Sequence, residues 1–466
     1  MEPCSGQPLF GCCRGFPYRR VGFALIPGFR WRWYRCGMEV FWISLGMTCV
    51  GAVLGSVLSC IPSLHIYNVL GGMMLIALSL GWGFEPVWVL PFCTSMLVGF
   101  AIMNTLPSVL LGASDESAVL TVLPGQTALL EGRGIEACCM TVLGGLGGLL
   151  FVVVVMGPLL PFVLPGIHEV LKRHFHWMIW VAVCFMLMSE WPKTGNNGRG
   201  GWRRLLVGWQ TPTAGLVTFA LSGALGIVLF RYPPLSADVA FQNLMPAFVG
   251  LFSVPWLLMN IWSRVGIPPQ EDVAGEVGIG WSGLGAGVAS GCCGGLVSCY
   301  VPAITGGVGG MLAGHATVVR DSRIFMIAQG ASKVVYYLGG WLIFFVPYTR
   351  LTRGGGWLMK GVYAPGAWHD YLMILGSLLI SGAVVAVMTL PLCRWLVQLT
   401  TRVQYQRLSL WALLLMVGLV GVLTGWRGLV VMVIASPIGL IPVLFQSRRL
   451  NCLAVILVPI GLSMSG

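Results

Sequence analysis

The chain has 466 residues, 57% of them hydrophobic and 9% charged. Soluble domains carry about 25% charged residues, so this composition excludes an ordinary water-soluble enzyme. The net charge of +12 is spread between apolar runs, as membrane topology signals are, and does not form a nucleic-acid surface.

The apolar runs fall at 40–60, 67–82, 86–112, 139–165, 177–189, 214–230, 245–262, 278–300, 322–346, 370–393, 408–425, 428–445 and 451–464. At about 20 residues per crossing they predict an all-α, polytopic integral membrane protein with about 10–12 transmembrane helices. Runs 67–82 and 177–189 are short, which marks re-entrant or broken helices.

Ahead of the first run, Arg14, Arg19, Arg20, Arg30, Arg32 and Arg35 make residues 1–37 a basic extension. Two readings stand: an arm that binds anionic lipid, or untranslated sequence before a start at Met38. The positive-inside rule puts this end in the cytoplasm, and no cleavable signal peptide is evident. Residues 38–466 then form one membrane domain, with repeat halves at about 38–189 and 214–393 and C-terminal helices over 408–465. Lys193, Arg199, Arg203, Arg204, Arg394, Arg402, Arg407, Arg448 and Arg449 read as topology signals. The 15 cysteines include vicinal pairs but no C-x-x-C, and are expected to be small hydrophobes.

In the first run, Gly51 and Gly55 precede Pro62 by 11 and 7 residues; Gly291 and Gly295 precede Pro302 by the same distances. Each glycine pair lets two helices approach closely, and each proline ends its helix within the membrane. Such breaks persist only where protein or a watery cavity satisfies the freed backbone groups, and helix N-termini there attract anions. Ser63, His65 and Asn68 surround the first break, and Thr305, Gly306 and Gly307 the second. His65 is either a satisfied structural histidine or a cavity group.

Next in the chain, Asn104–Ser117 holds Ser108, Ser114 and the adjacent carboxylates Asp115 and Glu116, followed by Pro124 and Gly125. Paired carboxylates after an apolar run suit a cation or a proton, though Ser114, Asp115 and Ser117 are also good helix N-caps. Pro124-Gly125 is expected to break a helix and tilts this loop towards lining a cavity. Lys333, inside the 322–346 run, either snorkels to an interface or pairs with Asp115, Glu116 or an anionic solute. Gly280-Trp-Ser282-Gly283 with His315 is the only hint of an enzyme, an intramembrane serine protease; no ATP or zinc motif is present.

Leu54–His65, Pro107–Ala137 (PSVLLGASDESAVLTVLPGQTALLEGRGIEA) and Ala435–Leu462 resemble the TctA-like superfamily, the large permease subunits of tripartite tricarboxylate transporters. The closer resemblance is to its mainly archaeal, uncharacterised branch, over about residues 38–465. The resemblance implies two re-entrant hairpins in an inverted repeat that meet near mid-bilayer. It also implies secondary transport, driven by a sodium or proton gradient, of a small carboxylate-bearing solute across the cell membrane. The implied partners are a small membrane subunit and an extracytoplasmic binding protein; no other cofactor is implied. A non-transporting assembly protein is the alternative. Relatives tend to carry Pro-Gly at both hairpin tips, where this chain has Pro62-Ser63 and Pro302-Ala303, and small polar residues around Lys333 and Tyr336. An alanine or serine in place of glycine restricts the backbone at those tips.

Overall fold

A computed structural model of the chain describes residues 29–62, 64–79, 85–192, 201–233, 240–263, 266–272, 278–317, 321–347, 349, 351–360 and 363–465. Ser63, Lys193, Arg199 and residues 1–28 of the basic extension lie outside the described residues. The chain divides into two compact units, 1–43 and 44–466. Of the first, the described part is the beginning of a helix; everything below concerns the second.

The described residues are helical throughout and contain no strand. The helices are α1 (Phe29–Leu58), α2 (Ile66–Ser79), α3 (Pro86–Met103), α4 (Thr105–Leu111), α5 (Val122–Leu130), α6 (Gly134–Phe151), α7 (Gly157–Leu171), α8 (Phe175–Met188) and α9 (Trp202–Arg231). They continue as α10 (Ala240–Phe248), α11 (Val254–Ser263), α12 (Trp281–Tyr300), α13 (Gly306–Ala316), α14 (Ser322–Phe345), α15 (Gly356–Met359), α16 (Trp368–Arg402), α17 (Tyr405–Leu444) and α18 (Ala454–Ser465). Backbone groups have no water to bond in hydrocarbon, so an all-helical chain is what this composition demands.

Eight stretches among the described residues are long and apolar enough to cross a bilayer. Two exceed one crossing. Gly134–Met188 runs 55 residues, or about 80 Å of helix at about 1.5 Å per residue. The 40 residues of α17 kink at Gly425, whose φ of 66° is open to glycine and breaks the helical path. α14 has the length to span as well, and it is buried along nearly its whole course, from Met326 to Phe345. This is a multi-pass, all-α membrane protein.

The two glycine–proline segments fold alike. α1 packs on α3: a Cβ on Gly51 would lie 2.3 Å from Ser95 Oγ, and one on Gly55 2.3 Å from the Met96 carbonyl oxygen. α12 packs on α14: a Cβ on Gly291 would lie 2.3 Å from the Ala328 carbonyl oxygen, and one on Gly295 2.5 Å from Val335 Cβ. These four glycines therefore serve helix contact. α1 then frays through tight turns at Cys60 and Ile61 before Pro62. α12 stops with Val301 extended at φ −81° and ψ 126°, the conformation a following proline imposes. α2 and α13, of 14 and 11 residues, complete two helix–break–helix units.

Two expectations are overturned. Pro124-Gly125 does not break a helix; both residues lie inside α5, with Pro124 in its first turn, where an N–H has no helical partner to lose. Arg448 and Arg449 are not peripheral topology signals. Arg448 donates its backbone N–H to Glu190 and its Nη1 to Ser189 Oγ at 2.7 Å. Arg449, 9% exposed, donates to the Phe252 carbonyl and lies 5.6 Å over the Trp256 ring. Phe252 sits in a π-helical turn over 249–253, where the helical ladder is interrupted and a carbonyl becomes available to an outside donor. The described cysteines are free, as small hydrophobes would be.

Candidate functional site

The break after α1 gives His65 its position. Its Nδ1 accepts the Tyr67 backbone N–H at 3.2 Å, so the ring proton resides on Nε2. That Nε2 lies 3.2 Å from Tyr337 Oη and 3.5 Å from Glu116 Oε1. Tyr337, on α14, is buried at 1% exposure and donates its hydroxyl to Asp115 Oδ2 at 3.1 Å. A directed chain therefore runs from the imidazole through the phenol to the carboxylate, with Glu116 Oε1 3.4 Å from the same phenol.

The Asp115–Glu116 pair is held by a second interruption. α3 and α4 meet at Asn104, and α4 ends at Gly112, whose φ of 70° turns the chain back into the protein. The Trp256 ring fills the space a side chain would need there. Asp115 is saturated: Oδ1 accepts from Ser117 N–H, Ser117 Oγ and Ala118 N–H at 3.1, 2.8 and 2.8 Å. Its Oδ2 accepts from Asn104 Nδ2 at 2.5 Å. Both readings of this loop meet in one residue: Asp115 caps the turn that follows and turns its other oxygen to the relay. Glu116 has no such capping duty. It is 6% exposed, and its Oε2 is buried with no hydrogen-bond partner. Asn104 Oδ1 and Ser114 Oγ are likewise buried and unpartnered.

His65, Asp115 and Glu116 each present a ligand atom within 4.8 Å of the others. They stand in the wall of a cavity of about 570 Å³, together with Asn68, Ser114 and Thr305. Ile61 and Ala303, the neighbours of Pro62 and Pro302, line the same cavity, so both breaks reach one pocket. Ala303 adopts φ 64°, the left-handed region that favours glycine. Thr305 Oγ1 donates to the Glu116 carbonyl at 3.4 Å.

Four other expected residues sit behind this wall. Ser108 is buried on α4 and donates to the Asn104 carbonyl at 3.0 Å. Gly125 packs α5 on α4, with Val109 Cγ2 2.9 Å from where its Cβ would be, and Pro124 faces a separate cleft beside Arg133 and Arg323. Gly306 presses on α14, where a Cβ would come within 2.9 Å of Lys333 Cα. Lys333 itself does not snorkel. It is 1% exposed, and its Nζ has no hydrogen-bond partner among the described residues. Asp115 and Glu116 are nonetheless close enough to act on it electrostatically.

Sequence reasoning missed Tyr67, Phe100, Asn104 and Tyr337. The rings of Phe100 and Tyr337 meet edge to face at 5.7 Å, and Tyr67 and Tyr337 at 6.0 Å. The available signal was Tyr336-Tyr337 one helical turn beyond Lys333, which puts aromatic and charge on one buried face. As for the protease pattern, His315 Nδ1 lies 2.9 Å from the Met311 carbonyl oxygen and is not engaged with Ser282, as a nucleophile's base must be.

Comparison with known proteins agrees with this architecture. A family model described as "Tripartite tricarboxylate transporter TctA family" matches residues 45–454. An uncharacterized protein of Methanocaldococcus jannaschii is 23% identical over 432 residues, covering 91% of this chain and 98% of that protein. No solved structure matches.

Proposed function

The chain belongs to the tripartite tricarboxylate transporter TctA family, and from that premise we propose that it is a permease that couples movement of a small solute to the gradient of a cation, sodium or proton. The family makes it a membrane transporter subunit, and its helices make it a multi-pass protein of the plasma membrane. Large subunits of this family work with a small membrane subunit and a binding protein; we propose the same partners here.

One observation carries the coupling: His65, Asp115 and Glu116 converge within 4.8 Å at a broken helix, in the wall of a cavity. Intramembrane carboxylates are costly and face a pathway or a partner. The buried, unpartnered oxygens of Asn104, Ser114 and Glu116 offer a cation the ligands it needs. For a proton, the path is the His65–Tyr337–Asp115 chain, with Glu116 beside it. The helix–break–helix units after Pro62 and Pro302 are the elements whose relative movement exposes the site to one side or the other.

Proteoliposomes with an imposed sodium or pH gradient test this. A panel of carboxylates and amines should include a solute that evokes cation flux, and Glu116→Gln should abolish that flux in protein of normal folded yield. Flux from the native protein that survives Glu116→Gln and His65→Ala unchanged would falsify the assignment of the coupling site.

A further inference from the structure

The walls of the cavity differ from what a di- or tricarboxylate requires. Among its described lining residues there is no lysine and no arginine. The remaining donors are mostly committed: Asn104 Nδ2 to Asp115, Thr305 to Glu116, and Ser59 to the Ser56 carbonyl. An anion entering here would lose its water, find few N–H or O–H groups, and face two carboxylates.

The charge of the site points the other way. Asp115 and Glu116 carry two negative charges, Lys333 offsets one from behind the wall, and His65, accepting at Nδ1, is neutral. One negative charge is left over. Glu116, more than nine-tenths buried, turns an unpartnered carboxylate oxygen into this surplus. Around it stand aromatic faces: Tyr67, Phe100 and Tyr336 line the cavity beside the acid pair, with Trp357 farther along the wall. Aromatic rings next to a carboxylate are the surroundings that recognise an ammonium group. The opposite wall is aliphatic and aromatic, from Leu244, Met245 and Phe248 to Ile456 and Ile460, and accepts an apolar body.

We propose that this cavity binds a small organic monocation with an apolar body, its ammonium head on the Asp115–Glu116 pair and among the neighbouring rings. The leftover single charge can be matched by the head group or by the coupling ion, but not by both. The two therefore exclude one another, and carriage proceeds by exchange. The solute class stands on the chemistry of the cavity; the exchange rests on the transport reading above.

Three probes that share a ring and differ in charge decide the matter: benzyltrimethylammonium, benzyl alcohol and benzoate, with citrate as a fourth. Equilibrium dialysis against the purified full chain in detergent should show saturable binding of benzyltrimethylammonium, at least tenfold tighter than benzyl alcohol, and none of benzoate or citrate. Glu116→Gln should weaken the cation at least tenfold, and acidification of the native chain should displace it, which keeps the test decisive if the variant does not fold. Benzoate or citrate binding as tightly as the cation, equal affinity for benzyl alcohol, or no binding of any probe overturns the proposal. Binding that succeeds while no probe evokes cation flux removes the transport reading and leaves the site. Cation flux evoked by a carboxylate, with no cationic probe bound, does the reverse.

Discussion

The two helix–break–helix units start from the same spacing of glycines and proline and end in different roles. After Pro62 the chain opens: Ile61, Leu64, His65 and Asn68 all face the cavity. After Pro302 it closes: Ala303 and Thr305 reach the cavity, and α13 immediately packs inward. Its first residues, Gly306 and Gly307, lie against Lys333 and against the carbonyl oxygens of Glu116 and Ser117. The helix N-terminus that a repeat would offer to an anion is thus occupied by protein on this side. The lesson is that a shared motif fixes where a helix ends, and the residues just after it decide whether the break binds or packs.

That contrast breaks most visibly at glycines. A Cβ on Gly309 of α13 would lie 2.2 Å from the Gly294 carbonyl oxygen and 2.0 Å from Ser298 Oγ, whereas one on Gly72 of α2 meets nothing within 4 Å. Gly309→Ala should cost about 3 kcal/mol or more and show as lost monodisperse protein, since backbone must move. Gly72→Ala should instead gain up to about 1 kcal/mol in helix propensity, seen as a raised unfolding midpoint. Equal effects at the two positions would mean that the second unit is as loosely held as the first.

Function sharpens the same comparison. His65→Ala should lower cation flux at least tenfold with folded yield retained, because the relay to Asp115 loses its first member. Lys333→Met should also lower flux more than yield, and should convert the acid pair into a better site for a divalent ion, raising Mn²⁺ affinity at least tenfold by calorimetry. Ser298→Ala lies on the packing side. Its hydroxyl donates to the Gly294 and Thr305 carbonyls at 3.0 and 2.9 Å. Losing it should cost about 1 kcal/mol of stability and leave flux unchanged.

Much of this was legible in the sequence, for identifiable reasons. Helix breaks at Pro62 and Pro302 follow from local sterics, which a proline sets whatever surrounds it. Glycines 51, 55, 291 and 295 follow from spacing along one helical face. The site was legible only in part. His65, Asp115 and Glu116 drew notice as polar residues in apolar surroundings, but Tyr67, Phe100 and Tyr337 look like any membrane aromatics until tertiary packing brings them together. Arg449 misled for the converse reason. An arginine between apolar runs usually marks an interface, and only the interrupted ladder around Phe252 supplies the carbonyl that holds it inside. Pro124 misled because a proline is a breaker in a helix interior and harmless in its first turn.

The smallest effect expected is at the tip of the second unit. Ala303 is held at φ 64°, and among the described residues the other non-glycine with positive φ is Gln446, far from either break. A left-handed backbone costs an L-residue about 1–2 kcal/mol, while a glycine costs roughly 0.5–1 kcal/mol in unfolded-chain entropy. Ala303→Gly should therefore stabilise the protein by up to about 1 kcal/mol, a small rise in unfolding midpoint. Leu64→Gly, at the first break, relieves no such strain and should lower it. If Ala303→Gly proves destabilising too, the methyl of Ala303 contributes packing that outweighs its backbone strain, and the second break is held by side-chain contact even at its tip.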